Sequence, residues 1–285
     1  MKHVGGGREF VYESVGEGRP LVLLHGWQVD HRTMMHSVEP AFGDRSGWRR
    51  IYPDLPGMGG TSGAGITNQD QVLEALIGFI EAVTGGERFV IGGFSYGGYL
   101  AIGIACKYPE LLDGLLIMAP GGLPGGGGEP TLPAHRTIVS DPDLLAGLDE
   151  ELAEAFRSTA VVQSRELLDV MANLALPAIQ QADHAYLAAL NEHWPFSFDV
   201  ECLRTPFPGP TLIVTGRQDA RVGYHDAYGL LENYPRGTFA VLDRAGHALT
   251  IEQRALFNAL VGEWLDRIEE YSSSTEAEPE AGVTD

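Results

Sequence analysis

Residues 88–98 read Arg88-Phe89-Val90-Ile91-Gly92-Gly93-Phe94-Ser95-Tyr96-Gly97-Gly98, and this stretch decides the fold. The apolar run 88–91 has the length and composition of a buried strand ending at Gly92-Gly93. Residues 96–108 have helical character and are stopped by Pro109. Ser95 therefore sits on a sharp strand-to-helix turn. Gly93 and Gly97, two positions either side, lack the Cβ atoms that would keep strand and helix backbones apart. Such a turn strains the serine and projects its hydroxyl from the sheet edge, where a nucleophile is useful. The helix N-terminus also aims the Tyr96 amide at a position where negative charge could develop.

Working outward, strands and helices alternate. Residues 8–15 alternate weakly and read as an edge strand, with a turn at Gly16-Glu17-Gly18. Residues 20–24 form a short apolar run ending at His25-Gly26, and 50–52 read as another strand. Val72, Leu73, Leu76, Ile77, Ile80 and Val83 have helical spacing, with Thr67 or Asn68 as cap. Strands are expected at 114–118, 211–215 and 239–242, a helix at 224–234 closed by Pro235, and a closing helix at 251–268. Between them, 121–133 is Gly/Pro-rich. Residues 141–176 read as one or two amphipathic helices stopped by Pro177, and 178–192 as another. The alternation predicts an α/β fold, a mostly parallel sheet with helices on both faces. The expected division is a core of 1–120 and 207–270, an inserted helical cap of 121–206, and an acidic flexible tail of 271–285.

A serine hydroxyl needs a base. Of nine histidines, His247 stands in Asp243-Arg244-Ala245-Gly246-His247, between the last strand and the last helix. It shares with Ser95 the C-terminal edge of the sheet, where open α/β sheets place their sites. The base needs an acid to set its tautomer. Asp219, in the loop Gly216-Arg217-Gln218-Asp219 after the strand at 211–215, is the preferred candidate, with Asp226 and Asp243 as rivals. Leu23-Leu24-His25-Gly26-Trp27 ends the first central strand. There the Trp27 amide is expected to join the Tyr96 amide in an oxyanion hole, and His25 to brace the loop or touch substrate. Trp194 and Phe196, in the cluster His193-Trp194-Pro195-Phe196 at the end of the cap, are expected to line the substrate pocket. His135, Arg136 and Arg157 could greet a carboxylate substrate, with solvated cap charges the preferred reading.

The order Ser95, Asp219, His247 and the segments around them resemble the α/β-hydrolase fold superfamily over about residues 18–265. His25-Gly26 resembles that family's oxyanion strand end, and Asp54-Leu55-Pro56-Gly57-Met58-Gly59 resembles its Asp-x-Pro-Gly-x-Gly loop. The resemblance implies an eight-stranded sheet, a helical cap over the Ser95 edge, and a serine hydrolase acting on a small ester or related acyl compound through an acyl-enzyme. Asp54 then shapes its loop. Epoxide hydrolases and haloalkane dehalogenases of this fold use Asp where this chain has Ser95. Cap-bearing relatives include carboxylesterases, carbon–carbon bond hydrolases, prolyl aminopeptidases and lactonases. The carbon–carbon hydrolases usually carry Trp after the catalytic His, where this chain has Ala248. Cofactor-independent oxygen or peroxide chemistry on the same fold, and a non-enzymatic ligand receptor, are the alternative readings for this chain.

Composition sets outer limits. The formal net charge is −20, which disfavours nucleic acid and anionic membranes as partners. The expected partner is a small-molecule substrate. No metal-ligand or cofactor motif is present, so no cofactor is expected. Cys106 and Cys202 show no metal or disulfide spacing and read as small apolar residues. No window approaches the ~20 apolar residues of a membrane span, and the N-terminus has no signal-peptide core, so a cytoplasmic location is expected.

Overall fold

The computed structural model describes residues 1–5, 8–123, 130–200, 203 and 205–276. Among them, eight strands form one sheet in the order β1-β2-β4-β3-β5-β6-β7-β8. These are β1 (Lys2–Gly5), β2 (Arg8–Val15), β3 (Arg19–Leu24), β4 (Trp48–Pro53), β5 (Phe89–Phe94), β6 (Leu112–Met118), β7 (Thr211–Gly216) and β8 (Gly237–Leu242). Pairing is parallel from β4 through β3 and β5 to β8, while β1 and β2 join antiparallel at one edge. The chain leaves β3 toward β4 on one side and returns as β5 on the other. The strand order thus reverses between β3 and β5, the crevice where such sheets bind ligands.

The sheet is covered on both faces, as its sequence pattern requires. Val22, Leu24 and Ile91 point into one cluster with helix α2 (Gln69–Thr84) and helix α3 (Tyr96–Lys107). The alternate residues Leu21, Leu23 and Val90 point into a second cluster with helix α1 (His31–Phe42) and the closing helix. This is the period-two alternation of strand side chains. Of the two candidate caps for α2, Asn68 does the work, its side chain accepting the Gln71 N–H at 3.0 Å. Helix α3 is apolar all round and buried nearly throughout, as a helix at the centre of a core must be.

The helices α4 (Glu150–Thr159), α5 (Arg165–Val170), α6 (Leu176–Gln181) and α7 (His184–Asn191) lie between β6 and β7. Several element boundaries differ from expectation. Pro177 does not stop its helix. A π-helical turn at Met171–Ala175 joins α5 to α6, and Pro177, which has no N–H, follows directly where the π turn already interrupts the regular i→i−4 ladder. The expected single helix over 178–192 is instead broken at Ala182 and Asp183, whose carboxylate caps α7 by accepting the Tyr186 N–H. Val139 and Val162 form an isolated parallel bridge within this segment.

Beyond β7, α8 (His225–Gly229) tightens into a 3-10 turn before Tyr234. The closing helix is two, α9 (Leu249–Glu252) and α10 (Arg254–Glu276). Helix α10 thus extends through 271–276, the start of the expected flexible tail, and the rest of that tail lies outside the described residues. Helix α1 and strand β1 have no counterpart in the sequence reading. Only Met34, Val38 and Phe42 of α1 are buried, a narrow stripe, and Pro40 interrupts its helical pattern.

Cys106 is half-buried, and burial pushes its thiol up to about 12. Cys202 lies outside the described residues, as do 124–129 of the Gly/Pro-rich segment. No helix of the described residues is long and apolar enough to cross a membrane.

Candidate active site

Because β3, β5, β6, β7 and β8 are parallel, the loops that follow them emerge at one edge of the sheet. Ser95 follows β5 directly and has φ 54° and ψ −114°, a positive-φ conformation that costs a non-glycine residue about 1–3 kcal/mol. Its neighbours hold it there. The Ser95 N–H donates to Met118 O at 2.9 Å, and Ser95 O accepts from Tyr99 N and Gly121 N, each at 3.1 Å. The two flanking glycines are sterically obligatory. A Cβ on Gly93 would overlap the Gly97 carbonyl, and one on Gly97 would overlap the Leu24 carbonyl at the end of β3. Tyr96 is the first residue of α3, so its N–H has no acceptor within the helix.

His247 and Asp219 meet across the loops that follow β8 and β7. The His247 Nδ1 lies 2.8 Å from Asp219 Oδ2. Asp219 is fully buried, and its Oδ1 accepts the N–H groups of Arg221 at 2.9 Å and Val222 at 3.1 Å. Burial pushes this carboxyl up, but the His247 charge, the His247 hydrogen bond and the two backbone donors outweigh it and hold the pKa below its ordinary value. An ionised Asp219 accepts only, so Nδ1 carries the imidazole proton and Nε2 is left as the basic nitrogen. The rival Asp226 instead accepts the Thr131 N–H and lies 3.7 Å from His225. Asp243 offers its backbone carbonyl to the Gln218 side chain.

Ser95 and His247 line one cavity of about 440 Å³, together with His25, Gly26, Trp27 and Phe94 from the sheet edge. Its other walls are Met34 of α1, Thr159 of α4, and Leu167, Met171, Leu176 and Ile179 from the α5–α6 stretch. The helices between β6 and β7 therefore supply part of the cavity wall. Gly26 brings its loop against the elbow, since a Cβ there would stand 3.6 Å from Ser95 Cβ. Trp27 is the next residue in this loop and lines the same cavity as Ser95. His25 is buried, and its two nitrogens contact Gly26 O and the Leu55 N–H. The Leu55 N–H needs an acceptor, so Nε2 is unprotonated, and burial lowers the ring's pKa. His25 thus braces the β3 loop against the 54–59 loop. In that second loop Asp54 accepts from His31 and from the Gly60 N–H.

Trp194 and Phe196 depart from expectation. Neither lines the Ser95 cavity. They border a neighbouring one of about 370 Å³, which shares only Arg221 and Val222 with it. Phe196 stacks on Tyr99 at 4.4 Å, and Trp194 packs on Tyr99, Tyr96 and Trp27 at 5.8, 5.4 and 5.3 Å. The aromatic cluster packs against α3, with Phe196 buried and Trp194 half-buried. Arg157 is exposed and pairs with Glu150 and Glu154. No group of His, Cys, Asp and Glu able to hold a metal ion occurs among the described residues.

Sequence reasoning passed over Glu252. Its carboxylate is buried and accepts Gly246 N–H at 2.6 Å, one residue before His247. It also accepts Val161 N–H at 2.6 Å and Val162 N–H at 3.2 Å from the inserted segment. Burial raises its pKa, with the backbone donors acting in the opposite direction. One side chain thus ties the histidine loop to the helical insertion. No local pattern marks it, because Val161 lies 91 positions away.

Residues 21–260 match the profile of a family described as the Alpha/beta hydrolase family. The chain is 30% identical over 260 residues to a pimeloyl-[acyl-carrier protein] methyl ester esterase of Aeromonas hydrophila, covering 87% of this chain and 96% of that protein. It is 28% identical over 277 residues to a 2-hydroxy-6-oxononadienedioate/2-hydroxy-6-oxononatrienedioate hydrolase of Burkholderia vietnamiensis, covering 90% of each. A crystal structure of an alpha/beta superfamily hydrolase from Oenococcus oeni PSU-1 superposes with a TM-score of 0.85 at 29% identity, covering 94% of this chain and 99% of that one.

Proposed function

The chain belongs to the alpha/beta hydrolase family, and on that premise we propose that it hydrolyses a small carboxylic ester or related acyl compound through an acyl-enzyme on Ser95. The observation that carries this reading is the buried Asp219 held 2.8 Å from His247 Nδ1, with His247 and the strained Ser95 facing one cavity.

In the first half-reaction His247 Nε2 takes the Ser95 proton as Oγ bonds to the substrate carbonyl carbon. The carbonyl π electrons move onto oxygen, which the Tyr96 and Trp27 amides stabilise. The tetrahedral species collapses, and the imidazolium gives its proton to the departing alkoxide, releasing the alcohol. In the second half His247 deprotonates water, hydroxide adds to the acyl carbon, and Ser95 leaves with the proton returned by His247. The ionised Asp219 stabilises the imidazolium in both halves. The inserted helices act as a cap that keeps bulk water from this low-dielectric chamber.

One observation favours an ester over a carbon–carbon bond. Ala248 follows His247 and lines the chamber, where the carbon–carbon hydrolases that this chain resembles usually carry Trp. The test is hydrolysis of p-nitrophenyl butyrate with fluorophosphonate labelling read by mass spectrometry. The expected result is label on Ser95 alone, and a loss of about 10⁶-fold in kcat for Ser95→Ala. Full turnover by Ser95→Ala would overturn the proposal.

A further inference from the structure

We propose that the acyl compound cleaved at Ser95 carries a carboxylate, received by the Arg221 guanidinium. The inference rests on the Ser95 cavity being the hydrolytic site and adds the class of substrate it takes.

The cavity wall is electrostatically anomalous for this protein. Asp and Glu make up 39 of the 285 residues against 19 Lys and Arg, so a wall drawn from this chain should carry several carboxylates. Among the described residues lining the chamber there is no Asp or Glu, and Arg221 is the one Lys or Arg. Arg221 has no ion-pair partner among the described residues. Arg221 is exposed and borders both this chamber and the neighbouring cavity, and its side chain makes one hydrogen bond, from Nη2 to Thr159 Oγ1 at 3.2 Å, where Thr159 lines the Ser95 chamber. A guanidinium has five N–H donors in a planar fork. One is spent on a neutral hydroxyl, which orients the fork without neutralising it.

The position is anchored from below. The Arg221 N–H donates to Asp219 Oδ1, so the Arg221 backbone is tied to the acid that holds His247. Arg221 shares the lining of the neighbouring aromatic cavity with Asp199 and Asp226, which are absent from the lining of the Ser95 chamber. The remaining chamber walls include Met34, Leu167, Met171, Leu176 and Ile179, which suit a hydrocarbon chain. A single guanidinium matches a monoanion. A phosphate dianion would call for a second cation, and the described wall has none. The chemistry that fits is therefore a short aliphatic acyl ester with a terminal carboxylate.

Monomethyl adipate and dimethyl adipate form a matched pair that differs in one charge. Binding of each to Ser95→Ala and to Ser95→Ala/Arg221→Gln is measured by calorimetry, and turnover by the wild type and Arg221→Gln by methanol release. The expected result is a wild-type preference for the monoester that falls about tenfold in Arg221→Gln, the scale of one charged hydrogen bond. Arg221→Lys should recover part of it, and Thr159→Val should lose part of it. A charged-to-neutral ratio that is the same in wild type and Arg221→Gln would overturn the inference, whichever ester is turned over. Arg221-dependent binding of the monoester without any turnover would support the anion site and defeat the esterase reading. Turnover of both esters with no Arg221-dependent ratio would do the reverse.

Discussion

Replacing Asp219 by Asn tests the site through a single proton. In the wild type, Oδ2 faces His247 Nδ1 at 2.8 Å, while Oδ1 accepts the N–H groups of Arg221 and Val222 at 2.9 and 3.1 Å. Those two backbone donors dictate how an amide must sit. Its oxygen takes the Oδ1 position, and its NH₂ replaces Oδ2 and points at Nδ1. Nδ1 must then accept, which moves the imidazole proton to Nε2 and removes the base that Ser95 needs. The expected loss in kcat is about 10⁴-fold, or about 5 kcal/mol of barrier. Both backbone donors keep their acceptor, so the stability lost at neutral pH should be confined to the contribution of the Asp219 charge.

Asp219→Ala separates the two effects. It orphans the same donors and should cost about 1–3 kcal/mol, several degrees in Tm. The native Asp219 pKa is depressed, so its ionised form stabilises the fold. That contribution is complete above the ordinary carboxylate pKa and is lost as pH falls through the depressed native value. Asp219→Asn should therefore flatten the acid limb of the stability profile. The assays are p-nitrophenyl butyrate kinetics, thermal melts from acid to neutral pH, and ¹⁵N NMR of the imidazole. An Asp219→Asn protein that keeps more than about a tenth of wild-type kcat, or whose His247 still carries its proton on Nδ1, would refute the reasoning.

Two further predictions concern residues around the triad. Glu252→Gln keeps an oxygen for Val161 and Val162 but turns an NH₂ toward the Gly246 N–H, so kcat should fall about tenfold with KM less affected, as steady-state kinetics would read. Because burial raises the native Glu252 pKa, its stabilisation is full below the unfolded value and is lost as pH rises through the native one. The stability deficit of Glu252→Gln should accordingly be larger at acid than at neutral pH in denaturant titrations. Phe196→Ala removes a buried ring stacked on Tyr99, and calorimetry should show a loss of about 3–5 kcal/mol. Because Phe196 lies outside the Ser95 chamber, kcat/KM for a short ester at a temperature where the variant is folded should stay within about threefold.

Local signals carried much of this protein. Gly93 and Gly97 are legible because the close approach of β5, α3 and β3 leaves no room for a Cβ, a constraint that any chain making this turn must meet. The alternation of Leu21, Val22, Leu23 and Leu24 between two clusters follows from the pleat, and with Val72 to Val83 on one helical face it announces a sheet covered on both sides. The loops bearing Ser95, Asp219 and His247 were legible as neighbours because parallel strands deliver their following loops to one edge.

Only the tertiary structure decided the rest, because those decisions depend on contacts between distant segments. It put Asp219 rather than Asp226 or Asp243 against His247, which turns on how the β7 and β8 loops approach each other. It set Trp194 and Phe196 in an aromatic stack on α3 that borders a neighbouring cavity and not the Ser95 chamber. It joined Glu252 to Val161 across 91 positions and placed the exposed Arg221 at the border of a chamber whose described lining holds no carboxylate. Strand, helix and turn preferences act over a few residues, whereas burial and charge environment are set by whatever the folded chain brings alongside.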